Sequence, residues 1–154
     1  MASAEPLAAS PRRTIESTFM ATSREMRRAY DSRLAGLGLK LSEAFLLAHV
    51  HTRGPLTQTQ AAELLGIGRA ATGALIDALE RKGLVERSGH AGDRRVWLLS
   101  STARAAPVVE EIIALDAALR QEMWTGISQA ERRSLHQILG RLQTNLAAVL
   151  HEQT

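Results

Sequence analysis

The 154-residue chain has no cysteine, which excludes a disulfide framework and makes a reducing cytoplasm the simplest setting. Aromatic residues are only 3% of the sequence against 45% hydrophobic residues, so the core must be aliphatic. No apolar run approaches the ~18 residues of a membrane span. The Ala-, Ser- and Pro-containing leader from Met1 to Pro11 lacks the apolar stretch of a signal peptide. It reads as a flexible tail over 1–11, and the remaining length suits one compact domain over 12–154. No membrane partner is expected.

Chemistry-bearing clusters are also scarce. His49 and His51 lie two apart on an expected helix and point in different directions, while His90, His136 and His151 have no paired-histidine or cysteine spacing around them. There is no nucleophile motif, glycine-rich phosphate loop or paired catalytic carboxylate. Neither an enzyme nor a metal or cofactor site is expected.

The net charge is +3, unevenly spread: residues 1–40 carry 7 basic and 4 acidic side chains, 41–104 carry 8 and 6, and 105–154 carry 4 and 6. The surplus lies in the first two-thirds, where basic residues on one surface would attract phosphates. A mixed solvated surface accounts for the same totals.

Residues 57 to 100 hold the most informative pattern. Thr57 stands three residues before Gln60, the spacing of a capping box, and Ala61, Ala62, Leu64 and Leu65 form the buried side of the helix that follows. Gly66-Ile67-Gly68 makes a short turn with Ile67 plugging the angle between two helices. In the second helix Leu75, Ile76 and Leu79, with Ala71 or Thr72 a turn earlier, define the core side, leaving Arg69, Ala70, Gly73, Ala74 and Asp77 outward. Gly83 after Arg81-Lys82 is a helix stop, onto which Leu84 can fold back. Leu84–Arg87 and Arg95–Leu99 are strand-like runs around the turn-forming Ser88–Asp93. Together they read as a helix-turn-helix followed by a hairpin wing.

This segment resembles the winged helix-turn-helix of the MarR family of bacterial transcriptional regulators, especially its SlyA-like branch. The resemblance rests on LERKGLVER, on the wing residues Asp93-Arg94-Arg95, and on the LLS leading into the next helix. It extends over roughly residues 14 to 150, where the flanking helices follow the family's order and Gly126-Ile127-Ser128 precedes the last one. The implied fold is mainly α with a small β-hairpin wing: a winged helix-turn-helix over 42–100, with terminal helices over 14–36 and 101–150 forming a dimerisation layer. The absent cysteine excludes the thiol-based peroxide sensing of some members.

The flanking helices fit that layer. Ile15, Phe19, Met26, Tyr30 and Leu34 form the apolar stripe of a first helix over 14–36. A second helix over 42–52 is expected to be capped by Ser42 and closed by Gly54-Pro55, with a brief β-pairing near Pro55-Leu56 implied by the resemblance. Ser100 or Ser101 is expected to cap a long helix carrying Val108, Val109, Ile112, Ile113, Leu115, Leu119 and Met123, with Pro107 tightening or kinking its first turns. Ser128-Gln129-Ala130-Glu131 is a capping box for a last helix striped by Leu135, Ile138, Leu139, Leu142, Leu146 and Val149. Such long stripes call for another subunit, and a homodimer is expected on a pseudo-palindromic duplex.

The expected partner is double-stranded DNA, read by a repressor. Thr57, Gln58 and Thr59 at a helix start suit phosphates, although Thr57 equally serves as a cap. Arg69 can reach guanine with a bidentate fork. The family often places hydroxyl and basic residues further along this face, where Ala70, Gly73 and Ala74 stand here. The small face lets the backbone approach closely or Ala70 touch a thymine methyl, Thr72 is a further candidate contact, and discrimination is expected to lean on Arg69, the wing and DNA shape. At the wing, His90, Arg94 and Arg95 flank glycines, and either arginine suits a narrow minor groove, with Asp93 orienting it by family resemblance. Arg87 and Lys82 are further backbone candidates. The resemblance also implies a small aromatic or lipophilic effector between the dimer layer and the reading head, for which Arg27, Tyr30 and His49 are candidates. Taken singly, each of the three is better accounted for as ordinary surface, helix pairing or core packing, and Trp97 and Trp124 read as packing residues in place of ligand platforms. A non-regulated architectural DNA binder and a winged-helix protein-interaction module are the alternatives.

Overall fold

The computed structural model describes residues 14–90 and 93–151, with the backbone alone at 90 and 93–96. The expected tail over 1–11 lies outside the described residues. The elements follow in the order α1 (Ile15–Leu34), a 3₁₀ turn (Ala35–Leu37), α2 (Leu41–Arg53), β1 (Leu56–Thr57), α3 (Gln58–Leu65), α4 (Arg69–Arg81), β2 (Val85–His90), β3 (Asp93–Ser101), α5 (Ala105–Met123) and α6 (Gln129–His151). The chain divides into two compact units, the first ending at Ala117 and the second beginning at Ala118.

The first unit is organised around an aliphatic core. Leu34, Leu39, Leu46, Leu47, Val50, Ile76, Leu79, Val85, Leu99 and Val109 form one buried cluster, to which α1, α2, α4, the sheet and α5 all contribute. Burying side chains of this kind gains about 1.5–3 kcal/mol each. The sheet is antiparallel with order β1-β3-β2. Leu56 pairs with Leu99 on one edge of β3, and Val85 pairs with Ser101 on the other. The short pairing expected near Leu56 therefore forms.

Local chemistry explains most boundaries. At α3, Gln60 N–H donates to Thr57 Oγ1 at 3.2 Å and Thr57 N–H donates to Gln60 Oε1 at 2.8 Å, the expected capping box. The α4 stop is a Schellman turn: Leu84 N–H donates to the Leu79 carbonyl at 3.1 Å, Gly83 N–H to that of Glu80 at 2.8 Å, and Gly83 takes φ +69°. A side chain at Gly83 would also begin 3.0 Å from Arg104 Nη1. In the second unit, Glu131 Oε2 accepts from Ser128 N–H at 2.8 Å and from Ser128 Oγ at 2.6 Å, and Glu131 N–H returns a bond to Ser128 Oγ at 3.2 Å. These bonds, the side-chain one foremost, hold the Glu131 carboxyl below the usual glutamate range.

Four expectations are corrected. Ser42 does not cap α2: Glu43 accepts from Lys40 N–H and Asp31 from Leu41 N–H, both at 2.8 Å, so carboxylates do the capping. Ser100 and Ser101 belong to β3, and α5 starts at Ala105, preceded by Thr102, whose carbonyl accepts from Ala105 N–H at 3.0 Å. Pro107 then falls in the first turn, where no intrahelical hydrogen bond is lost. Ile67 is 37% exposed instead of plugging the interhelical angle.

α6 differs from every helix of the first unit. It has no buried residue, and Leu135, Ile138, Leu142, Leu146, Val149 and Leu150 are all exposed. Ile15, Phe19, Met20 and Met26 on α1 are exposed as well.

Candidate nucleic-acid interface

Two helix amino-termini lie together. Gln58, in the first turn of α3, donates through Nε2 to the Arg69 carbonyl at the start of α4, at 3.3 Å. The α3 terminus spends one amide on Thr57, whereas α4 begins at Gly68 with no side-chain cap. Its first-turn N–H groups therefore keep donors for an external anion. Gln58, Thr59, Arg69 and Ala70 are exposed around this point, and Thr57 is half-buried with its hydroxyl engaged in the cap.

Two sequence-derived contacts change character. Thr72 is fully buried and its hydroxyl donates to the Gly68 carbonyl at 3.0 Å, so it is a core residue of α4 and cannot touch a base. Gly73 does not face freely outward: a Cβ there would meet Gln58 Nε2 at 3.1 Å. The missing side chain is what lets Gln58 lie across α4. The exposed strip of α4 is left with Arg69, Ala70, Ala71, Ala74 and Asp77.

The wing grows from the core. Val85 and Leu99 are each 2% exposed at its base, and the ladder runs to Gly89 opposite Trp97 before an irregularity at Gly89/His90. Trp97 is 57% exposed, so it is not the packing residue expected. As side chains, His90, Asp93, Arg94 and Arg95 lie outside the described residues.

Arg87 on β2 is held by α4. Its Nη2 donates to Asp77 Oδ1 at 2.6 Å and its Nη1 to Glu80 Oε2. Burial alone would lower its pKa, but the hydrogen bond to Asp77 and the charges of Glu80 and Asp77 outweigh that and raise it above the usual arginine value. Arg87 is thus a fixed cation with both arms of its fork on carboxylates. Lys82 is similarly engaged, its Nζ 2.7 Å from Oε1 of the buried Glu43. That pair fastens the end of α4 to the start of α2. Sequence reading missed these carboxylates because each partner lies on a different element.

The three effector candidates are not brought to one point. Arg27 reaches Ser42 Oγ of α2 at 3.4 Å, whereas the Tyr30 hydroxyl donates to Asp116 Oδ1 of α5 at 2.8 Å. His49 is half-buried on α2, two turns beyond Ser42, or about 10 Å along the helix.

In the second unit, the Arg132 guanidinium stands 6.0 Å from the Trp124 ring centre, a cation–π distance. Gln129, Arg132, Arg133, His136 and Gln137 line an open depression on α6.

The family model described as the MarR family matches residues 37–96, the span from the end of the 3₁₀ turn into β3. Among solved structures, transcriptional regulator PA3341 is 32% identical, with 88% of this chain and 99% of that one covered at a TM-score of 0.78. The chain belongs to the MarR family. MepR of S. aureus in complex with DNA superposes at a TM-score of 0.80, with 24% identity over 86% of this chain and 98% of that one. A mutant MarR from E. coli, complexed with operator DNA, superposes at 0.78 with 21% identity over 83% and 92%. This MarR-family chain accordingly has the winged helix-turn-helix of DNA-binding transcription regulators, a family and fold that are not those of enzymes. Among its described residues, no helix is long and apolar enough to cross a membrane.

Proposed function

We propose that this MarR-family chain is a cytoplasmic, nucleoid-associated repressor that binds a pseudo-palindromic duplex as a homodimer and is released by a small aromatic or lipophilic effector. The observation that carries the DNA reading is the exposed Arg69 at the uncapped start of α4, beside the α3 terminus that Gln58 ties to it. Free amides and a guanidinium at one point suit phosphate and guanine together.

In this reading Gln58 and Thr59 fix register on the backbone, Arg69 reads a base, and Ala70 and Ala74 let α4 approach closely. Arg94 or Arg95 enters the adjacent minor groove with Asp93 orienting it, and His90 supports the tip. The exposed apolar side chains of α1 and α6 support a second copy as their cover, which sets two wings on half-sites about 34–36 Å apart. Arg27, beside Ser42, supplies the cation for an acidic effector, with Tyr30 one turn on along α1 and His49 further along α2.

A reporter fused to DNA upstream of the chain's own coding sequence tests the regulatory part. Expression should fall when the chain is supplied and recover in an Arg69→Ala variant or on addition of aromatic acids. Unchanged expression in every arm would contradict a repressor.

A further inference from the structure

The exposed strip of α4 contains a feature hostile to DNA. Ala70, Ala74 and Asp77 succeed one another by four and three residues and share one side of the helix. The Asp77 side chain is 52% exposed and that of Glu80, three residues on, is 40% exposed. Two carboxylates on a helix that enters a groove would face phosphates within the ~8–10 Å over which charges act in physiological salt. Both are instead held by the single guanidinium of Arg87, whose own side chain is only 26% exposed.

We propose that Arg87 is a positioning residue which makes α4 acceptable to DNA by neutralising Asp77 and Glu80, without contacting phosphate itself. With Arg87 in place the cluster carries one net negative charge, and without it two. The same contact pins β2, and with it the root of the wing, to α4. This inference rests on the DNA-binding reading above.

The test uses duplexes enriched from a random-sequence pool by the unmodified protein. Affinity across a salt series is then compared for Arg87→Ala, Arg87→Lys, the double variant Asp77→Asn/Glu80→Gln, and the triple variant combining the double with Arg87→Ala. Arg87→Ala should weaken binding about tenfold, as expected when a close charge is uncompensated. The triple variant should bind within about threefold of the double variant, since nothing is left to neutralise, and Arg87→Lys, which keeps the charge but loses the fork that spans both carboxylates, should lose less affinity than Arg87→Ala. An equal loss on removing Arg87 in both backgrounds, with the salt slope falling by about 0.9 each time, would identify a direct phosphate contact and overturn the proposal. Unchanged affinity in Arg87→Ala would overturn it too. If the unmodified protein enriches no duplex, the DNA reading itself fails, and that outcome is visible before any variant is made.

Discussion

On α4, Ile76 and Leu79 are 1% and 0% exposed, whereas on α6 Ile138 and Leu142 are 52% and 42% exposed, although both pairs recur at helical spacing. The first pair is covered by α2 and the sheet. The second has no cover among the described residues. Apolar periodicity therefore states that a helix face must be buried and leaves open what buries it. For α6 the proposed answer is a second copy, since a stripe of six large apolar side chains left exposed leaves several kcal/mol of burial unrealised.

Charging the α6 stripe should break the contrast most severely. Leu142→Asp combined with Leu146→Asp should yield a monomer by light scattering and lose at least about 100-fold in affinity for a two-half-site duplex, since joined modules gain that order from avidity. A dimeric mass in this variant would show that α6 is not the covered surface. On α4 the damage should instead appear as stability. Ile76→Ala should cost about 3 kcal/mol, read in a urea titration, and lower Tm by roughly 6–12 °C. Ile138→Ala, assayed at protein concentrations where the chain is monomeric, should cost under about 1 kcal/mol, as surface changes do. The helix starts give smaller effects: Thr57→Ala should cost about 1 kcal/mol through the lost cap.

Acid sharpens the comparison last. The depressed pKa of Glu131 means that its stabilisation is present at pH values above the ordinary glutamate value of 4.5 and is lost as pH falls through the lower folded-state value. The difference in urea midpoint between the unmodified chain and Glu131→Gln should therefore be seen at neutral pH and vanish in acid. A pH-independent difference would remove the Ser128–Glu131 bonds as its cause.

What the sequence made legible follows the range of the interactions. The capping boxes at Thr57/Gln60 and Ser128/Glu131, and the glycine stop at Gly83, involve residues within a few positions of each other and appear where read. The start of α2 is not legible locally because one of its capping carboxylates, Asp31, lies ten residues upstream on α1. Ser100 and Ser101 look like caps in sequence because only the pairing of Val85 with Ser101 reveals that β3 continues so far. Within the candidate site, Arg69 and Gln58 stand where local pattern put them. The spacing of Thr72 suits both the core and DNA, and only packing decides for the core. The ties of Arg87 to Asp77 and Glu80 join a strand to a helix, and no single-element periodicity encodes them.

The most direct test of the central claim is binding of the purified protein to the DNA upstream of its own coding sequence, against a scrambled duplex of equal length, across a salt series and with an Arg94→Ala/Arg95→Ala variant alongside. Tight, sequence-selective binding that the variant loses is the predicted result. Equal weak binding to both duplexes would reduce the interface to charge attraction, the behaviour of an architectural binder. Binding to neither would contradict the regulator account and favour a protein-interaction module.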